Sequence, residues 1–157
     1  MSTLILDELF DGVTFEQEFM IERDINIAHI RPWIYVQGTI ADGDLQLEVL
    51  EGSTVLAVDT ITAAEINAGK TESFAHGFIR FDFDVLCLRV PEGLTEGTYK
   101  VRLQMINHTT DPSNFVGAVR NWDLKIYDTY GVSVSGNQAL NDMVEPLGLE
   151  IYEYRRS

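Results

Sequence analysis

Asp82 and Asp84, in the stretch "FIRFDFDVLCLRV" at 78–90, are the residues whose type and spacing come nearest to a reactive pair. Same-face neighbours on a strand stand roughly 6.6 Å apart, inside the range of the paired carboxylates that hydrolyse glycosides. Such a pair needs one carboxyl kept protonated by desolvation, and its two members ordinarily come from different elements. Arg80 shares the parity of the two aspartates, while Ile79, Phe81, Phe83 and Val85 take the other. Alternation alone therefore makes Asp82 and Asp84 the solvated side of a strand, with a countercharge beside them. After Val85 the apolar parity moves to Leu86, Leu88 and Val90. That flip predicts a bulge or a passage into a region covered on both faces.

Other chemistry is sparser still. His29, His76 and His108 lie far apart and lack the close ligand spacing of zinc motifs, which reads them as surface or turn histidines. The turn "ADGD" at 41–44, with Glu48 nearby, offers oxygens to Ca²⁺ but not the twelve-residue loop of a calcium hand, and a hairpin turn accounts for Asp42, Gly43 and Asp44 without a metal. Cys87, the single cysteine, sits between Leu86 and Leu88 and is expected to be buried as a small apolar group. Asn107, His108 and Thr109 match a glycosylation sequon, with no export signal to give it meaning. No nucleophile elbow or phosphate-cradling glycine loop is present in the sequence. The expectation is a non-enzymatic protein with no catalytic, cofactor-binding or metal-binding residues and no cofactor.

The elements that carry these residues are mostly strands. Val13, Phe15, Phe19 and Ile21 alternate in one run and Leu45, Leu47 and Val49 in another, each the mark of a half-buried strand. "GTYKVRLQMIN" aligns Tyr99, Val101, Leu103 and Met105, and "FVGAVRNWDLKIY" aligns Val116, Ala118, Trp122, Leu124 and Ile126, as central strands do. "GLEIYEYRRS" reads as a final strand with Leu149 and Ile151 on one face and Tyr152 and Tyr154 on the other. Turn chemistry at 41–44, 50–53 and 91–97 implies hairpin-like connections. Against this pattern stands "TITAAEINAG", where Thr62 and Glu65 form a capping box and Gly69 a stop, predicting a short helix over 62–68. With eight to ten strands, no repeat and no βαβ alternation, the predicted fold is all-β: an antiparallel, jelly-roll-like β-sandwich spanning 13–157 behind an N-terminal arm at 1–12.

Two places on that fold are suited to binding. In "AHIRPWIYVQGTI" Ile30, Ile34, Val36 and Ile40 form the core face, which turns Trp33 and Tyr35 outward beside His29, Arg31 and Gln37. Outward Trp and Tyr mark interfaces or sugar-stacking platforms, since both cover much apolar area and keep a polar group. Tyr127 extends this surface in the sequence reading. The arm "MSTLILDELFDG" carries Leu4, Ile5, Leu6, Leu9 and Phe10 ahead of the turn at Asp11 and Gly12. An extended apolar segment of this kind can add to a neighbour's sheet edge, so these residues are read as partner-binding.

Composition narrows the partners. At 157 residues and 45% hydrophobic content the chain suffices for one domain with a sizeable core. Its formal charge of −14, from 25 acidic and 11 basic residues, opposes nucleic acid and an anionic membrane surface. No apolar stretch approaches the length of a membrane helix, and "MSTLILDELF" lacks the basic start of a secretory leader.

The succession of an acidic extended arm, "EGTYKVRLQMINHTTDPSNFVGAVRNWDLKIYDTYG" and "NDMVEPLGLEIYEY" resembles small virion structural proteins of tailed bacteriophages. The resemblance implies a β-sandwich that decorates or cements a capsid, or else builds a tail or fibre attachment. It further implies other virion proteins as partners, homo-oligomerisation, and assembly in the host cytoplasm into the virion. A carbohydrate-binding module, with Trp33, Tyr35 and Tyr127 stacking on a glycan, is the alternative from a different class.

Overall fold

The computed structural model describes residues 5–69, 76–120, 125–127, 138–139 and 149–153. Along these residues run twelve strands and one helix: β1 (Ile5–Glu8), β2 (Thr14–Ile21), β3 (Ile25–Gln37), β4 (Asp44–Glu51), β5 (Thr54–Thr62), α1 (Ala63–Gly69), β6 (His76–Phe78), β7 (Phe81–Leu88), β8 (Gly97–Ile106), β9 (Phe115–Arg120), β10 (Lys125–Tyr127), β11 (Gln138–Ala139) and β12 (Leu149–Glu153). The chain is an all-β sandwich of two packed, predominantly antiparallel sheets.

One sheet has the order β11-β2-β8-β4-β5. The other has the order β1-β9-β3-β12-β10, with β6 and β7 also paired to β3. β3 is its axis. Its thirteen residues give it two successive neighbours on each side: β7 then β6 along one, β12 then β9 along the other. Among the described strands the β10–β12 pair is the parallel one.

The alternations seen in the sequence place the core. Tyr99, Val101, Leu103 and Met105 of β8 are buried against Leu45, Leu47 and Val49 of β4 in one hydrophobic cluster, with Phe19, Ile30, Ile34 and Phe81. Val116 and Ala118 of β9 and Leu149 and Ile151 of β12 join it. Trp122 and Leu124 lie outside the described residues. At the start of β2 the pattern weakens: Val13 is 45% exposed and the inward Gln17 is fully buried.

The capping box forms as predicted. The Glu65 backbone N–H donates to Thr62 Oγ1 at 3.2 Å and the Thr62 N–H donates back to Glu65 Oε1 at 3.2 Å. The helix buries Ile66, and Asn67 clamps Ile40 by accepting from its N–H and donating to its carbonyl, both at 2.9 Å.

Two expectations are corrected. Of the three hairpin turns predicted, only 50–53 joins ladder neighbours, β4 and β5; the turns at 41–44 and 91–97 carry the chain from one sheet to the other. Glycine and short polar residues serve a tight reversal of either kind, and long-range pairing decides which sheet receives the next strand. At the first crossing Gly43 has φ 91°, and a Cβ there would stand 2.8 Å from His108 Cβ, so glycine is required on both counts. The separate N-terminal arm is the second correction. β1 pairs antiparallel with β9 over Ile5↔Arg120 to Glu8↔Gly117, the Leu9 N–H donates to the Val116 carbonyl at 2.8 Å, and the Leu9 side chain is fully buried. An apolar strand beside an unpaired edge of its own sheet needs no second chain to satisfy it.

Candidate partner-binding face

The outer face of the β3 sheet depends on a change of phase. Ile25 and Ile27 point inward, yet so do Ile30, Ile34 and Val36, and the switch falls at Ala28. There the register of β3 shifts against both neighbours: Ile27 faces Leu86 and His29 faces Asp82 on one side, while Ile27 faces Glu153 and His29 faces Tyr152 on the other. The change of apolar parity in β7, from Phe81 and Phe83 to Leu86 and Leu88, is therefore the bulge allowed for by the sequence, and β3 changes phase at the same level. Its effect is to turn His29, Arg31, Trp33 and Tyr35 to one outer face.

Those four side chains are half-buried and span roughly 20 Å of strand. His29 stacks on Tyr152 with ring centroids 4.4 Å apart and planes at 22°, and the Arg31 guanidinium lies 5.8 Å from the same ring centroid. Arg31 also approaches Glu150 at 3.9 Å. Farther along, the Tyr35 and Phe115 rings tilt against each other at 6.0 Å. Trp33 occupies the register position opposite Phe78. Partial burial, with Arg80 and Arg31 close by, lowers the pKa of His29 against the pull of Asp82, so the ring favours its neutral form.

Of the residues singled out in the sequence, the fold brings Trp33 and Tyr35 together on this face. Tyr127 is at the register position beside Tyr152, one strand farther from β3, and its side chain is outside the described set. Leu4 also lies outside the described residues. Ile5 and Leu6 sit in β1 at the sheet's edge, Leu9 is a core residue, and Phe10 is 40% exposed. Full burial removes Leu9 from the partner-binding set as long as β1 stays in its sheet. The face also includes Phe115 and Tyr152, whose parity against Val116 and Ile151 marks both as outward. What the sequence alone could not supply was their adjacency to β3.

The remaining candidates have structural work. Asp82 is exposed and ion-paired to Arg80 at 2.6 Å, and its backbone N–H donates to Asp59 Oδ2 at 3.1 Å, tying the start of β7 to β5. A cleft of about 400 Å³ lies there between β5, α1 and β7. Backbone or side-chain groups of the protein bond Asp59, Glu65 and Asp82 on its walls. The Asp84 side chain is outside the described set. Cys87, expected to be buried, is half-exposed, because Leu86 and Leu88 take the inward positions on either side of it.

His108 is likewise corrected, from surface to interior: its side chain is 2% exposed, with Nδ1 3.1 Å from the Asp42 carbonyl oxygen and 3.3 Å from Asp42 Oδ1. Asp42 also accepts from Thr109, at 2.8 Å from the backbone N–H and 2.7 Å from the hydroxyl, and these bonds hold its carboxyl below the usual carboxylate range. The "ADGD" turn thus stitches two crossings together. Glu48 lies instead on the outer face of the other sheet with Arg102 and Gln104. Among the described residues no group of three His, Cys, Asp or Glu is placed to hold a metal ion, and no helix is long and apolar enough to cross a membrane.

Comparison with protein-family models, with curated proteins and with solved structures returns no match for this chain.

Proposed function

We propose that this chain is a non-enzymatic structural protein of a phage virion, acting through contacts with other virion proteins, with capsid decoration ahead of tail or fibre attachment. The observation that carries the binding part of this reading is the half-buried row His29, Arg31, Trp33 and Tyr35, continued by Tyr152 and Phe115. Trp, Tyr and Arg are enriched where protein interfaces hold their binding energy, Trp and Tyr because they bury a large area with two torsions to fix and Arg because its planar guanidinium adds several donors. A central strand with neighbours on both sides holds them at fixed spacing. The virion assignment rests on the resemblance of the chain's sequence. The alternative, a glycan-binding module, would use the same Trp33 and Tyr35 as its platform, where the Tyr35 ring already tilts against Phe115 at 6.0 Å.

The deciding experiment compares the wild type with Trp33→Ala/Tyr35→Ala by sedimentation velocity, by co-sedimentation with phage particles lacking the protein, and on a glycan array. Particle binding or self-association that falls roughly tenfold or more in the folded double variant, with a silent array, is the expected result. Sugar binding by the wild type that the double variant loses would install the alternative. Undiminished assembly of the variant would remove this face from the function.

A further inference from the structure

A second surface, unrelated to the aromatic row, lies on the other sheet. Val55, Leu56 and Val58 are 43, 40 and 51% exposed, three large apolar side chains within five residues of β5. β5 ends its sheet, and among the described residues its ladder partner is β4 alone. Beyond Val58 the strand is engaged, Asp59 accepting from the Asp82 N–H, and among the described residues no ladder partner lies on the outer side of Thr54–Val58. Edge strands are commonly guarded by lysine, proline or an inward charge; this stretch, "TVLAV", has none of them. Its guard is a bulge. Val49 faces Ala57 and Leu50 faces Val55, so Leu56 is the extra residue.

Charge indicates the occupant. From residue 44 to 69 the chain carries Asp44, Glu48, Glu51, Asp59 and Glu65 and no Lys or Arg. The cations on neighbouring β8 are committed, Arg102 to Glu48 at 2.9 Å and Lys100 to Glu16 at 2.7 Å. Among the described residues no ion pair neutralises Glu51, Asp59 or Glu65. Two copies meeting edge to edge would bring two such acidic hairpins together, and the bulge interrupts the flat register that symmetric pairing requires. A short basic segment brings no like charge, and it has to follow the bulged edge over only a few residues rather than along a whole symmetric ladder.

We propose that the Thr54–Val58 edge of β5 is a docking site for an extended segment of a different protein, with apolar residues at alternate positions and Lys or Arg at its flanks. The segment adds as a short strand, bonding through its main chain and covering Val55, Leu56 and Val58, while its basic flanks meet Glu51 and Asp59 at the two ends of the stretch. With Trp33 and Tyr35 on the opposite sheet, the chain then has two faces and can bridge two partners. This site does not depend on the virion reading.

The test selects from a displayed library of random nine-residue peptides on the full-length protein. Selected peptides are then titrated against wild type and against Leu56→Ser/Val58→Ser, whose positions are exposed and whose folding is checked by circular dichroism. Expected are apolar alternation with basic flanks among the selected sequences, affinity at least roughly tenfold weaker for the double variant, and further weakening with added salt. Failure to select any peptide, selection of peptides indifferent to the substitutions, or equal enrichment of acidic flanks would overturn the proposal. So would dimerisation of the wild type that the double variant abolishes, which would make the occupant a second copy of this chain.

Discussion

The two outer faces of the sandwich obey the same alternation and put it to different uses. On the β2-β8-β4 face, Arg102 donates to both Glu48 oxygens at 2.9 and 3.1 Å, Gln104 donates to Glu48 and Gln46 at 2.9 Å, and Lys100 reaches Glu16 at 2.7 Å. These polar groups find their complements on the adjacent strand, so this part of the face is satisfied within its own sheet. The β3 face instead carries Trp33, Tyr35, Phe115 and Tyr152, whose area stays half in water. A cross-strand polar ladder spends its binding capacity inside the sheet, whereas aromatic rings on a sheet surface keep apolar area that another molecule can cover. The first kind of face stabilises the fold and the second is available for recognition.

That contrast can be broken most forcefully from the inside. If β1 belongs to the sandwich and not to a partner-seeking surface, Leu9→Ala should cost about 3 kcal/mol or more in urea unfolding, on the scale of a large buried aliphatic side chain cut to alanine. Deletion of Met1–Phe10 should cost more still. A truncated protein with the parent's midpoint would return the arm to the partner-binding surfaces.

Next in size is the polar ladder. Glu48→Ala strands Arg102 and Gln104 and should cost about 1–3 kcal/mol, while Trp33→Ala/Tyr35→Ala should change stability less than it changes binding. Equal stability losses for the two variants would erase the distinction between a face that holds the fold and a face that recognises.

The smallest effect is in pH. The His29 pKa is lowered in the folded protein by burial first and Arg80 next, so the folded state binds fewer protons than the unfolded one just below the ordinary imidazole range. Stability is then full above that range and falls as pH drops through the folded pKa. His29→Gln should flatten this part of the stability-against-pH curve. An unchanged slope would mean that the ring contributes no such linkage.

Local chemistry is where the sequence was most legible. Alternation gave the inward residues of β4, β8 and β12 and the outward turn of Trp33 and Tyr35, because a strand's side-chain period is a property of its own backbone. The capping box of α1 was readable for the same reason, since Thr62 and Glu65 bond within four residues. Asp82 beside Arg80 also needed nothing beyond its strand.

Tertiary structure alone decided which strands became neighbours. That Leu9 is core, that Phe115 and Tyr152 complete the face of β3, and that His108 is buried against Asp42 each depend on contacts between distant segments. Nor could turn composition tell the β4–β5 hairpin from the crossings at 41–44 and 91–97, because the local backbone demand is similar while the destination strand is not encoded in the turn. Sequence periodicity fixes which way a side chain faces; what stands beside it depends on the order in which strands assemble, and that order follows from the burial of the whole core at once.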